Sequence, residues 1–151
     1  MSKKFSKISV IGLGYVGLPV ILNLSKKFDC FGFDIDKKWV ETLKKHIDVN
    51  KEFKKKDFYK KKLKFTYKFN EIKQCNFFIV CVPTPTSKNK KPDLQNLNNA
   101  IKILSTIVKK NDIIFIESTI FPGLTKKYKD FIQKKTNLIY NKDFFMGYSP
   151  E

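Results

Sequence analysis

Arginine is absent from this chain of 151 residues, although its formal net charge is +17. All 31 basic side chains are lysine, whereas the guanidinium fork of arginine is the usual reader of guanine edges and the usual clamp of phosphates. Lysine is enriched together with asparagine, isoleucine, phenylalanine and tyrosine, as a coding sequence biased toward A and T would produce. The composition therefore favours codon bias over a specific nucleic-acid site, with a polyanion-binding protein as the alternative. The positive field would still attract anionic ligands such as dinucleotides and nucleotide sugars.

Long apolar runs are lacking as well, since no stretch approaches the ~20 residues that cross a membrane. The N-terminus leads directly into the first predicted strand without a cleavable signal region. These two absences predict a cytoplasmic protein with no membrane partner.

Cysteines are few and lack the spacing of a metal site or a disulfide framework. Cys30, Cys75 and Cys81 are odd in number and form no C-x-x-C pair, so we expect reduced thiols, no disulfide and no metal. The hydrophobic fraction of 42% is that of a folded protein. The length suits one domain that can bury a proper core.

The clearest motif is a glycine turn, Gly12-Leu13-Gly14-Tyr15-Val16-Gly17. It is preceded by an apolar run at residues 7–11, short enough for a strand buried on both faces, and followed by residues 18–27, which have helix length. Strand, glycine turn and helix form the context in which this motif binds a dinucleotide. A glycine turn that merely packs is the alternative.

Each glycine has a physical reason under the dinucleotide hypothesis. Gly12 permits the tight turn, Gly14 leaves room for backbone to approach a pyrophosphate, and Gly17 lets helix and strand pack closely. The diphosphate would then lie on free N–H groups at the helix N-terminus. The next predicted strand, residues 30–33, ends at Asp34, about 20 residues beyond the motif, where a carboxylate accepts hydrogen bonds from the adenosine ribose. Because this acid would repel a 2'-phosphate, the sequence favours NAD over NADP.

The remaining sequence alternates between predicted strands and predicted helices. A helix from about Asp36 carries Trp39, Val40 and Leu43 on one stripe, and we interpret Trp39 as a core residue. Further strands are predicted at residues 64–69, 77–82, 113–116 and within 143–148, and further helices at 50–62, from an N-cap at Asp93 to Val108, and at 124–135. This alternation predicts an α/β fold with a doubly wound, mostly parallel sheet of the Rossmann type in a single domain.

Polar side chains follow the predicted strands, at the edge where such sheets bind their ligands. Beyond the glycine turn and Asp34, the candidates are Thr84 between two prolines, Ser118 with Thr119, and Glu151. Each alone could be a cap or a solvated residue, but their shared edge predicts one ligand site.

Four motifs resemble the N-terminal, NAD-binding domain of the UDP-glucose/GDP-mannose dehydrogenases, and together they cover essentially the whole chain. They are residues 7–19 with the glycine turn, Val82-Pro83-Thr84-Pro85, Glu117-Ser118-Thr119 and Gly147-Tyr148-Ser149-Pro150-Glu151. Within this family, segments 117–123 and 141–151 are most similar to the bacterial UDP-N-acetyl-hexosamine (glucosamine or galactosamine) 6-dehydrogenases of surface-polysaccharide synthesis.

The resemblance implies an oxidoreductase that converts the C6 alcohol of a UDP-sugar to a carboxylate, passing two hydrides to two NAD molecules through a cysteine-linked intermediate. It implies that Thr119 and Glu151 act on the hydrolytic water, with the glutamate as a candidate base. Substrate contacts would begin with Tyr148, Ser149, Pro150 and Glu151. The implied cofactor-binding residues are Gly12, Leu13, Gly14, Tyr15, Val16, Gly17, Asp34, Val82, Pro83, Thr84, Ser118 and Thr119.

The family's catalytic cysteine, lysine and asparagine match nothing in these 151 residues, and neither do its central helix and its UDP-sugar-binding domain. We therefore expect residues 1–151 to be a truncated NAD-binding domain that is inactive alone, whereas intact members are homodimers. Cys81 cannot replace the nucleophile, because its apolar strand would bury the thiol. A non-catalytic NAD-binding remnant is the alternative function.

Overall fold

Strand β1 (Lys7–Ile11) is one of the two central strands of a parallel sheet in the computed structural model, which describes residues 7–49, 51–59, 62–86, 92–118 and 121–149. The other strands are β2 (Asp29–Phe33), β3 (Leu63–Thr66), β4 (Phe77–Val80), β5 (Ile113–Ile116) and β6 (Phe145–Tyr148). Their order is β3-β2-β1-β4-β5-β6, and every neighbouring pair is parallel. The strand order reverses beside β1, which is where a doubly wound sheet binds its ligands.

Helices connect these strands in the described part of the chain and confirm the predicted α/β fold. They are α1 (Gly17–Leu24), α2 (Lys37–Lys44), the short α3 (Lys55–Phe58), a 3-10 helix (Phe69–Gln74), α4 (Gln95–Leu104) and α5 (Leu124–Thr136). Asp36 is the N-cap of α2, as predicted, because its side chain accepts a hydrogen bond from the Trp39 N–H.

Apolar side chains cover both faces of the sheet, since successive residues of a strand point to opposite sides. In β4, Ile79 packs in the layer that contains α1 and α2, whereas Phe78 and Val80 pack in the layer that contains α4 and α5. The uninterrupted apolar run of this strand is therefore explained by burial on both faces.

Several elements end earlier than predicted because side chains redirect the backbone. The strand predicted at residues 64–69 ends at Thr66, whose hydroxyl accepts a hydrogen bond from the Lys68 N–H at 3.0 Å and so starts a turn. Helix α1 ends at Leu24 rather than at residue 27. At this end the Ser25 hydroxyl donates a hydrogen bond back to the Leu22 carbonyl at 2.9 Å.

Three further boundaries also differ from the predictions. Strand β4 ends at Val80 rather than at residue 82, because the Cys81 carbonyl packs against Gly12 where the ladder gives way to the glycine turn. In place of the predicted helix at 50–62, only Lys55–Phe58 are α-helical among the described residues, since the Asp48 carboxylate holds residues 52 and 53 in a turn. The N-cap of α4 is Leu94, one residue after the predicted Asp93.

Ser9 is a polar exception at the centre of the sheet. Its side chain is fully buried beside Phe31 and Phe78, its register partners in β2 and β4. Among the described residues its hydroxyl has no hydrogen-bond partner. A buried hydroxyl in that state carries its desolvation cost without compensation. Ser25 is also buried but donates its hydrogen bond to Leu22.

Replacement of Ser9 by alanine should raise the free energy of unfolding by about 1 kcal/mol, because the uncompensated hydroxyl is removed. Replacement of Ser25 by alanine is the matched control and should lower it by about 1 kcal/mol, because a satisfied hydrogen bond is lost. Urea denaturation followed by circular dichroism measures both. An equal loss of stability in the two variants would show that Ser9 has a partner.

Candidate dinucleotide site

A cleft of about 310 Å³ opens at the carboxyl ends of β1, β2 and β4. Its walls include Gly12 and Gly14 of the glycine turn, Asp34 after β2, and Val82 and Pro83 after β4. The sheet therefore brings together candidates that lie far apart in the sequence, at the edge where a parallel sheet binds ligands.

The glycine turn has the geometry that its spacing predicts. Gly12 has a φ of +88° and donates its N–H to the Phe33 carbonyl at 2.9 Å, which ties the turn to β2. A Cβ at Gly17 would overlap the Gly12 carbonyl oxygen, whereas a Cβ at Gly14 would meet nothing within 4 Å. Gly17 is thus required for packing, and Gly14 keeps the mouth of the cleft open.

Helix α1 begins at this turn without a side-chain cap on its N-cap residue, Val16. No described residue accepts a hydrogen bond from the N–H groups of Gly14, Tyr15 or Val16. Tyr15 and Val16 are also exposed. Unpaired N–H groups at the positive end of a helix form an anion site. Leu13 contributes no such donor, because its N–H is already engaged by Asp34.

The Asp34 carboxylate is held in place by backbone donors from both sides. Its Oδ2 accepts the Leu13 N–H and its Oδ1 accepts the Asp36 N–H, each at 2.9 Å. A carboxylate oxygen has two lone pairs, so each oxygen retains one for a ribose hydroxyl. These hydrogen bonds orient the acid toward the cleft that it lines.

Lysine side chains surround Tyr67 beside this acid. The ammonium groups of Lys37 and Lys44 lie 5.3 Å from the centroid of the Tyr67 ring, and that of Lys68 lies 6.0 Å from it, within cation–π range. Tyr67 follows Thr66, whose carbonyl accepts the Asp34 N–H at 3.2 Å. The Asp34 end of the cleft therefore lies in a positive field that would favour anionic ligands.

The loop after β4 lines the cleft with Val82 and Pro83, and hydrogen bonds from two side chains hold the carbonyls of these residues. The buried Ser118 donates its hydroxyl hydrogen to the Val82 carbonyl at 2.6 Å, and the Asn96 amide donates to the Pro83 carbonyl at 3.2 Å. Thr84 is half-buried in the same loop. Direct contacts of Thr84 and Ser118 with a cofactor stay predictions.

Two of the four predicted substrate residues, Tyr148 and Ser149, lie at the β6 edge of the sheet. Tyr148 ends β6, and Ser149 donates its N–H to the Ile116 carbonyl at 3.1 Å. Strands β4 and β5 separate them from the glycine turn. Thr119, Pro150 and Glu151 lie outside the described residues, so their catalytic and substrate-binding roles stay predictions.

Two parts of the cleft wall were missed in the sequence. Trp39, interpreted as a core residue, is partly buried and packs against the core, but it also lines the cleft and donates its indole N–H to the Leu13 carbonyl at 2.9 Å. Helix α4 lines the cleft with Asn96, Asn99, Ala100 and Ile103. These positions recur at helical spacing, and this second stripe was the available signal, hidden behind the stronger apolar stripe of the same helix.

The thiols of this chain are placed for packing rather than for chemistry. All three cysteines are free and buried, and burial raises the pKa of Cys30 and that of Cys75 to about 12. Cys81 lies beneath the glycine turn, against Gly17. The described residues contain no group of metal-ligating side chains that could hold an ion. Within the same residues, no helix is both long enough and apolar enough to cross a membrane.

Known proteins are similar to this chain in sequence and in fold. Residues 6–151 match the NAD binding domain of the UDP-glucose/GDP-mannose dehydrogenase family. UDP-N-acetyl-D-glucosamine 6-dehydrogenases of Salmonella typhi and Pseudomonas aeruginosa are 41% and 40% identical over 147 residues, with 96% of this chain and 35% of each relative covered. The solved UDP-D-ManNAc dehydrogenase of Pyrococcus horikoshii has a TM-score of 0.90 at 31% identity, with 96% of this chain and 36% of that chain covered. The chain thus spans about a third of these relatives.

Replacement of Gly14 by alanine should leave stability within about 0.5 kcal/mol, because the new Cβ meets open space. The same methyl group should weaken NAD binding at least about tenfold, because it occupies the path by which a pyrophosphate approaches the backbone. Replacement of Gly17 by alanine is the contrasting variant and should destabilise the fold by about 3 kcal/mol or more through overpacking.

Thermal unfolding and calorimetric titration with NAD separate the two effects. A Gly14→Ala variant that binds NAD as tightly as the parent chain would mean that the diphosphate does not lie on this turn.

Proposed function

This chain belongs to the UDP-glucose/GDP-mannose dehydrogenase family as its NAD-binding domain, and from that premise we propose that it serves the oxidation of a UDP-N-acetyl-hexosamine at C6 to the carboxylate. One observation carries the proposal: Gly14, whose N–H group is free, and Asp34, whose carboxylate is oriented by backbone donors, line the same cleft. The relatives' names support the substrate class, since they refer to UDP-N-acetyl sugars. The product would be a precursor of surface polysaccharide.

Each wall of the cleft suits one part of NAD. The N–H groups of residues 14–16 and the dipole of α1 suit the diphosphate, and Asp34 suits the adenosine ribose. The exposed Ile35 with Asn99 and Ile103 of α4 supplies apolar surface and an amide for the adenine. When bound, NAD supplies the hydride acceptor. The remaining cofactor contacts are assigned to Val82, Pro83, Thr84, Ser118 and Thr119.

The hydrolytic and substrate-contacting roles rest on the motifs shared with the family. We assign the hydrolytic water to Thr119 and Glu151, and the first substrate contacts to Tyr148, Ser149, Pro150 and Glu151. The UDP-sugar substrate, the homodimer and the cytoplasmic location are proposed from the same resemblance. This chain covers about a third of the length of each relative, so these properties of the whole proteins are proposals for it.

The covalent step of the family requires a thiolate beside the substrate carbon. No cysteine of this chain meets that requirement, because Cys30, Cys75 and Cys81 are all buried. The 151 residues taken alone therefore bind NAD without turnover. The same buried thiols support the second candidate function, a non-catalytic NAD-binding module.

Replacement of Asp34 by alanine should weaken NAD binding about tenfold, because the ribose loses a charged hydrogen-bond acceptor. The difference in affinity between NAD and NADP should narrow at the same time, since the carboxylate no longer repels the 2'-phosphate. Calorimetric dissociation constants for both dinucleotides measure the change.

The matched control is Asp29→Ala, which removes an acid from the other end of β2 and should leave both dissociation constants unchanged. Equal affinity of the parent chain for NAD and NADP would contradict the assignment of Asp34.

The purified chain should bind NAD in a calorimeter and yet produce no NADH absorbance with UDP-N-acetylglucosamine, UDP-N-acetylgalactosamine or UDP-glucose. The reason is that the cleft holds cofactor-binding groups but no accessible thiol. Sustained NADH production would reveal a nucleophile within the chain, and absence of NAD binding would refute the cofactor assignment itself.

A further inference from the structure

Trp39, the only tryptophan of the chain, holds the glycine turn from the cleft wall. Its indole N–H donates to the Leu13 carbonyl at 2.9 Å. The N–H of the same leucine donates to Asp34 at 2.9 Å, and the leucine side chain is fully buried. Leu13 is therefore fixed at three points between two glycines that could otherwise rotate freely.

The bond from Trp39 acts on a group that the ligand would contact. The Leu13 carbonyl belongs to the same planar peptide as the Gly14 N–H, and in a trans peptide these two groups point in opposite directions. All described peptides are trans. An indole that holds the carbonyl on one side thus fixes the direction of the Gly14 N–H on the other.

Trp39 is itself held by the acids after β2. Its backbone N–H donates to Asp36 Oδ1 at 3.1 Å, and the Asp36 N–H donates to Asp34 Oδ1 at 2.9 Å. With the bonds of Leu13 to Trp39 and Asp34, these contacts close a ring of four hydrogen bonds. The ring joins the carboxylate proposed for the ribose to the turn proposed for the diphosphate.

We propose that Trp39 is a positioning residue for the cofactor diphosphate, acting through the Leu13–Gly14 peptide to aim the Gly14 N–H into the cleft. This inference rests on the proposed function, because it presupposes a dinucleotide on the glycine turn. It assigns to Trp39 a directional hydrogen bond in addition to its packing.

The test compares Trp39→Met with Trp39→Gln, two side chains of similar length of which only glutamine carries an N–H donor. One hydrogen bond is worth about 0.5–1.5 kcal/mol, so the glutamine variant should bind NAD and ADP about 3- to 10-fold more tightly than the methionine variant. Adenosine, which lacks the diphosphate, should bind the two variants within about twofold, because in both of them Asp34 keeps its hydrogen bonds from the Leu13 and Asp36 N–H groups and can still hold the ribose. Calorimetry serves for NAD and ADP, and ligand-observed NMR serves for adenosine.

Equal affinities of the two variants for NAD and ADP would overturn the proposal, as would an equal loss of adenosine binding. A failure of the parent chain to bind NAD would instead refute the proposed function. The parent chain also gives a test that needs no variant, because its single tryptophan yields one indole N–H resonance. That proton should exchange slowly with solvent and more slowly still with ADP; exchange at the rate of a free indole would mean that the hydrogen bond to Leu13 is not formed.

Discussion

The close approach of Gly17 to the carbonyl of Gly12 is the constraint on which the rest of the structure depends. Any side chain at residue 17 would overlap that oxygen, so glycine allows α1 to begin within a few residues of the end of β1. In the same turn Gly12 lies close to the Cys81 carbonyl. The end of β4 therefore packs directly against the end of β1. The helix N-terminus and the loops after β2 and β4 thereby come to surround one cleft.

The spacing of residues along the sequence was enough to predict most of the fold, the glycine turn and Asp34, but not the parts of the cleft wall formed by Trp39 and α4. The glycine turn and Asp34 follow strands whose apolar runs are unmistakable, and their function requires only that two parallel strands end at the same edge. Residues that act across the fold were harder to identify. Trp39 reads as core because it shares a stripe with Val40 and Leu43, and only the tertiary approach of α2 to the turn reveals its bond to Leu13. The cleft face of α4 was missed because its stripe of residues is weaker than the apolar stripe of the same helix, and only the fold shows that it faces the cleft.

The lysines illustrate why composition alone could not assign a partner. Lys109 donates to the Cys75 carbonyl at 2.6 Å and pairs with the buried Asp112 at 3.2 Å. This ammonium group therefore stabilises the fold and is not free to bind a polyanion. Lys37, Lys44 and Lys68 instead gather around one tyrosine beside the cleft. Lysine thus forms hydrogen bonds and an ion pair within the fold at one position and adds positive charge beside the cleft at others. Only the position of each lysine in the structure distinguishes these two roles.

The groups that line the cleft explain how a domain of this family can bind NAD without carrying out the covalent step. A diphosphate needs backbone N–H groups, which do not titrate, and a ribose needs an oriented carboxylate. Neither requirement involves a thiol, and burial holds the thiols of Cys30 and Cys75 protonated well above neutral pH. Cys81 is small enough to fit under Gly17, so cysteine serves there as packing material. A domain built this way can hold the dinucleotide without exposing a nucleophile to it, and under the proposed function the reactive thiol is a group that these 151 residues do not supply.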